Sequence, residues 1–186
     1  MKIQITNKRC SDLSADLAVV GAYADGSLTR AARELDRVLG GHLARAAREE
    51  MKGALGDGAV VHTLGQIRPR RVLVVGLGKK EALDANAARA AAITAGRIAR
   101  STKSARIACA LLDEFAPGAR PLAARACAEG AVLGSYAFTK YLTDGRKPSA
   151  ADTLTIVASG DARAITREAN VRGVSFFAPT EETGNR

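Results

Sequence analysis

The sequence predicts an α/β domain, a largely parallel sheet flanked by helices on both faces. Three observations carry that expectation. Short runs rich in valine and isoleucine alternate along the chain with alanine-rich segments of helical period. Strands that alternate with helices pair in parallel and are covered on both sides. Aromatic residues make up only 4% of the chain and there is no tryptophan, so alanine and the small aliphatics fill the core, which suits helices lying close on a sheet. At 186 residues the chain fits one domain and can bury about two-thirds of its unfolded surface without a staple.

Lys2 to Thr6 alternates polar and apolar side chains and reads as the first strand. Asp16-Leu17-Ala18-Val19-Val20-Gly21 reads as a buried strand, closed by the turn Ala24-Asp25-Gly26-Ser27. A helix follows from Thr29 to Leu39, with Leu28, Ala32, Leu35 and Leu39 along one side and Gly40-Gly41 as its stop. A second short helix is expected from His42 to Met51. Ala59-Val60-Val61-His62-Thr63 and Arg71-Val72-Leu73-Val74-Val75-Gly76 are the next strands. Asp84 is placed to cap a long helix reaching Arg100, because its carboxylate can accept first-turn amide protons. Ala105 to Leu111 is another strand. Pro121, with its preset backbone angle, opens a helix to Leu142 whose small face is Ala126, Gly130 and Ala137. Thr153 to Ala158 is the last expected strand, leading into a helix from Asp161.

Composition excludes several classes. Cys10, Cys109 and Cys127 are widely spaced and odd in number, and His42 and His62 stand alone. That is neither a disulfide framework nor a zinc-finger pattern; reduced, buried thiols are the expectation. The opening residues lack the apolar run of a signal peptide and no stretch has the length of a membrane span, so a cytoplasmic protein with no membrane partner is expected. The net charge of +9 raises nucleic acid as a partner. Most arginines are scattered among Asp and Glu on helix surfaces, as solvated faces would be. The densest cluster is Arg68, Arg70 and Arg71 before a strand, with Lys79 and Lys80 after it, and these five are the candidate nucleic-acid residues. The two groups lie at opposite strand ends, roughly 15–20 Å apart.

Other motifs read as structure. Gly76-Leu77-Gly78-Lys79 fails as a dinucleotide fingerprint because Glu81 stands at the third glycine. It fails as a Walker loop because Leu73 and Lys80 replace the required glycine and hydroxyl. A tight strand-to-helix turn is the expectation. No Ser-His-Asp or Cys-His set is legible. Glu49 and Glu50 would point about 100° apart on a helix and not share a site. Phe138 and Tyr141 share a helical face with Tyr136 nearby, as core or inter-domain contact rather than a binding surface. No catalytic, cofactor-binding or metal-ligating residue is therefore assigned.

Arg71 to Lys80 resembles the strand-turn signature of the leucine (cytosol) aminopeptidase amino-terminal domain. Glu129-Gly130-Ala131-Val132-Leu133-Gly134-Ser135-Tyr136, with Phe138 and Tyr141, is similar to a following helix of that family, and Leu35 to Gly41 to an earlier helix end. The resemblance runs in register from Lys2 to Val174, which sets the domain as 1–174. Residues 175–186 depart from the family pattern and are expected to form a disordered tail. The resemblance implies a mixed, macro-domain-like sheet. It also implies a parent enzyme: a cytoplasmic, usually hexameric aminopeptidase using two zinc, manganese or magnesium ions held by a separate catalytic domain. The hallmark Asp-Ser-Gly-Gly and Asn-Thr-Asp-Ala-Glu-Gly-Arg types of run do not occur in this sequence. The expected function is a non-catalytic accessory or assembly domain, inactive alone, whose partner is its own catalytic domain. DNA binding is the alternative, with weak nucleotide or ADP-ribose binding by fold analogy.

Overall fold

The computed structural model describes residues 1–51, 54–136, 151–160, 162–169 and 176–177. Its strands are β1 (Lys2–Thr6), β2 (Leu17–Ala22), β3 (Gly58–His62), β4 (Arg71–Gly76), β5 (Arg106–Cys109), β6 (Thr153–Val157) and β7 (Phe176–Phe177). The helices are α1 (Arg30–Val38), α2 (His42–Glu49), α3 (Ala85–Ser101), α4 (Arg120–Ser135) and α5 (Ala162–Ala169). Among the described residues the strands form one sheet in the order β3-β4-β2-β5-β6-β1-β7. Every pairing is parallel except β3 with β4. The exception follows from chain length: the connection between His62 and Arg71 is too short for a crossover and returns as a hairpin.

Alternation of side chains along each strand divides the core in two. Leu17, Val19, Leu73, Val75, Ile107 and Cys109 face α3, α4 and α5. Ala18, Val20, Val72, Val74 and Ala108 face α1 and α2. The mixed, largely parallel sheet with helices on both faces is thus present as expected.

Local chemistry starts each helix. The Thr29 hydroxyl caps α1 by accepting from the Ala32 amide and also accepts from Gly21 N–H, tying the helix to β2. Gly40 and Gly41 both take positive φ after α1, as their place at the stop requires. Asp36 then reaches past this corner, and its carboxylate accepts from the amides of Leu43 and Ala44 in the first turn of α2. Asp84 caps α3 through the Ala87 amide at 2.9 Å. Asp16 clips the starts of β2 and β5 together by accepting from the Ala105 and Arg106 amides and the Arg106 guanidinium. Burial pushes the Asp16 carboxyl up, but the hydrogen bonds and charge of Arg106 outweigh it and hold it below its ordinary range.

Several boundaries differ from the sequence reading. α4 ends at Ser135 rather than Leu142: Tyr136 is extended, and its carbonyl accepts from the Arg100 guanidinium on α3. Residues 137–142, including Ala137, Phe138 and Tyr141, lie outside the described residues. The helices approach most closely where Gly130 and Gly134 of α4 lie over the Arg89 and Ile93 backbone of α3, and where Gly96 of α3 lies against Ala131 and Gly134 of α4. Phe176–Phe177, which the sequence reading placed in the tail, form β7 and pair with Ile3 and Gln4 of β1. Asp161 and residues 178–186 lie outside the described residues.

Candidate functional site

The parallel strands β1, β2, β4, β5 and β6 all run toward one edge of the sheet, where α/β folds gather their ligand sites. Two carboxylates from the turn after β5 organise that edge. Glu114 accepts from the Tyr23 hydroxyl at 2.6 Å and from the Arg30 amide at the start of α1 at 2.9 Å. Tyr23 is buried, and burial followed by the bond to Glu114 pushes its phenol well above the ordinary range. Lys80 sits 5.8 Å above the same ring. Asp113 accepts from the amide and hydroxyl of Ser159 after β6 and pairs with Arg120 of α4 at 3.5 Å. The loops after β2, β5 and β6 are therefore latched to one another by two half-buried acids.

Beside this latch a groove of about 580 Å³ opens between residues 7–11, following β1, and the exposed side of α1. Its floor is apolar, with Cys10, Leu35, Ala110 and Ala158 buried beneath it. Burial, with the nearby Cys109 thiol, pushes the Cys10 thiol up to about 12, so it stays neutral. The rim carries Lys8, Arg9, Arg30 and Arg37 against Glu34 and Asp113.

The structure leaves the five candidate nucleic-acid residues in two groups. Arg68 and Arg70 are exposed in the hairpin connection, and Arg71 begins β4 with its guanidinium donating to the Thr102 carbonyl. Lys79 and Lys80 follow the other end of β4. The turn at Gly76-Leu77-Gly78 spends its backbone groups internally: Leu77 N–H donates to Ala22, and the Gly78 carbonyl accepts from Ala24. His42 opens α2 and His62 ends β3, both exposed. All three cysteines are free and buried. Glu49 and Glu50 are exposed. Sequence reasoning passed over Asp113, Glu114, Lys8 and Arg9; their signal was position, directly after strands that end on this edge of the sheet. Arg30 and Arg37 had been counted as scattered surface charge.

The family model for the cytosol aminopeptidase family, N-terminal domain, matches residues 19–145. A probable cytosol aminopeptidase of Geobacter sp. (strain M21) is 34% identical over 169 residues, covering 90% of this chain and 34% of the relative. One from Alkaliphilus metalliredigens is 32% identical over 149 residues, covering 79% of this chain and 30% of the relative. The chain thus spans about a third of the length of these curated relatives. Among solved structures, a mutant of tomato leucine aminopeptidase superposes with a TM-score of 0.73 at 23% identity, over 91% of this chain and 34% of that one. A Trypanosoma brucei macrodomain in complex with ADP superposes with a TM-score of 0.64 at 15% identity, over 90% of this chain and 68% of that one. The fold is macro-domain-like, and the chain belongs to the cytosol aminopeptidase family, corresponding to its N-terminal domain.

Proposed function

We infer that this chain serves as the non-catalytic accessory or assembly domain of a cytoplasmic leucine aminopeptidase that works as a hexamer. The carrying observation is that the chain matches the family's N-terminal domain while spanning about a third of its relatives. Peptide hydrolysis and the two divalent ions belong, in this reading, to the remainder of the parent, which docks on this domain. The residues here do not fit those ions: among the described residues no group of three or more His, Cys, Asp or Glu could hold a metal. Also among the described residues, no helix is long and apolar enough to cross a membrane. Purified chain supplemented with manganese is expected to release no leucine or aniline from a leucyl anilide above the protein-free blank. Release proportional to protein concentration would sink the reading.

DNA binding is a second reading, favoured by the exposed Arg68 and Arg70 guanidiniums, which have no partner among the described residues, and by the charge of +9. Duplex affinity is expected to fall with salt at a log–log slope of about −2 to −3, the signature of two or three phosphates. Undetectable anisotropy change at low salt would remove it. A nucleotide or ADP-ribose reading has less support. Thr29 and Glu114 already engage amides at the start of α1, and among the described residues no aromatic side chain lines the groove as a stacking platform.

A further inference from the structure

We propose that the groove between residues 7–11 and α1 is a binding site for an extended acidic peptide segment. The inference stands apart from the accessory-domain reading and from DNA binding, because it rests on the groove alone. Its volume of about 580 Å³ lies within the range of small-ligand sites. Its carboxylates are already neutralised: Glu34 pairs with Arg30 at 3.2 Å, and Asp113 is held by Ser159 and Arg120. Three cations on the rim are left over. Lys8, Arg9 and Arg37 are exposed, and their side chains have no partner among the described residues. The groove therefore presents net positive potential over an apolar floor, and a ligand that satisfies both must carry negative charge and aliphatic surface together.

Placement favours a peptide over a single small anion. The three cations left without a partner among the described residues are divided between the two walls, Arg37 in the last turn of α1 and Lys8 and Arg9 after β1. A ligand carrying several anionic groups can meet both walls at once. An extended peptide places alternate side chains on one side about 7 Å apart, so acids at such positions can meet successive rim cations. The intervening residues turn aliphatic side chains toward Cys10, Leu35 and Ala110. A nucleobase would find no aromatic partner among these lining residues.

The test is fluorescence anisotropy of a labelled hexapeptide alternating leucine and glutamate, titrated with the full chain, beside its leucine–glutamine counterpart. Two double variants are compared, Arg9→Glu with Arg37→Glu at the groove, and Arg68→Glu with Arg70→Glu in the hairpin connection. Each removes four charges, taking +9 to +5, so general electrostatics changes equally. All four positions are exposed, and unchanged circular dichroism verifies the fold. Lys8→Glu provides an independent groove variant. The expected result is saturable binding of the glutamate peptide, weakened about tenfold or more by the groove pair and less than about twofold by the hairpin pair. Equal weakening by both pairs would mean a diffuse charge effect and overturn the proposal. So would equal affinity for the glutamine peptide, no binding of the glutamate peptide, or binding of ADP in its place.

Discussion

Gly134→Ala is expected to destabilise the domain by about 2 kcal/mol, lowering its melting temperature by roughly 4–8 °C. In most helix interiors the same change would stabilise by up to about 1 kcal/mol, because alanine is the better helix former. The sign reverses here because of what a methyl group would meet. A Cβ at Gly134 would sit 2.1 Å from the Ile93 carbonyl oxygen, with the Ile93 carbonyl carbon and Cα also under 3.0 Å. All three are backbone atoms of α3, so no side chain can rotate away and the helices must separate. Gly130 repeats the constraint against the Arg89 carbonyl, and Gly96 returns it from α3 against the Ala131 carbonyl. Separation would loosen Ala92, Ala95, Ala126 and Ala131, all buried in the same core. Gly118→Ala is the control, since nothing lies within 4 Å of its added Cβ. Thermal melts of the two variants decide the matter; an unchanged or raised midpoint for Gly134→Ala would refute the close-contact account.

Glu114→Ala is expected to cost a similar amount, about 2 kcal/mol, measured by urea unfolding. The loss has an asymmetric origin. The Arg30 amide lies at the exposed start of α1 and can take water instead, whereas the hydroxyl of buried Tyr23 loses its charged acceptor. Bonds to charged groups contribute about 1.5–3 kcal/mol, and a buried donor left without a partner carries its desolvation cost. Tyr23→Phe removes that donor. In a Tyr23→Phe background, therefore, Glu114→Ala should cost about 1 kcal/mol less than it does alone. Strict additivity of the two substitutions would show that the carboxylate and the phenol are not energetically coupled, and that the edge is held by something else.

The strands and caps were legible in the sequence because their signals are local. β4 needs only the run Val72 to Val75, and α3 needs only Asp84 ahead of an alanine-rich period. The family resemblance was equally local, resting on β4 and its turn, the end of α1 and the second half of α4. The readings that moved depend on partners far along the chain. Tyr136 leaves the helix with its carbonyl bonded to Arg100, 36 positions earlier. Phe176–Phe177 become a strand because β1, at the other end of the sequence, offers an edge.

The candidate site divides the same way. Composition and periodicity by themselves determined an α/β domain with buried, reduced thiols and a surplus of nine positive charges. They could not determine which of those charges matter, because charge has no period and a cation acts through its neighbours in space. Glu34 pairs with Arg30 one turn away on α1, but only the tertiary structure spent Asp113 on Ser159 and Arg120. By the same step it left Lys8, Arg9 and Arg37 without a side-chain partner among the described residues, around one apolar floor formed by chain segments that the parallel sheet alone brings together.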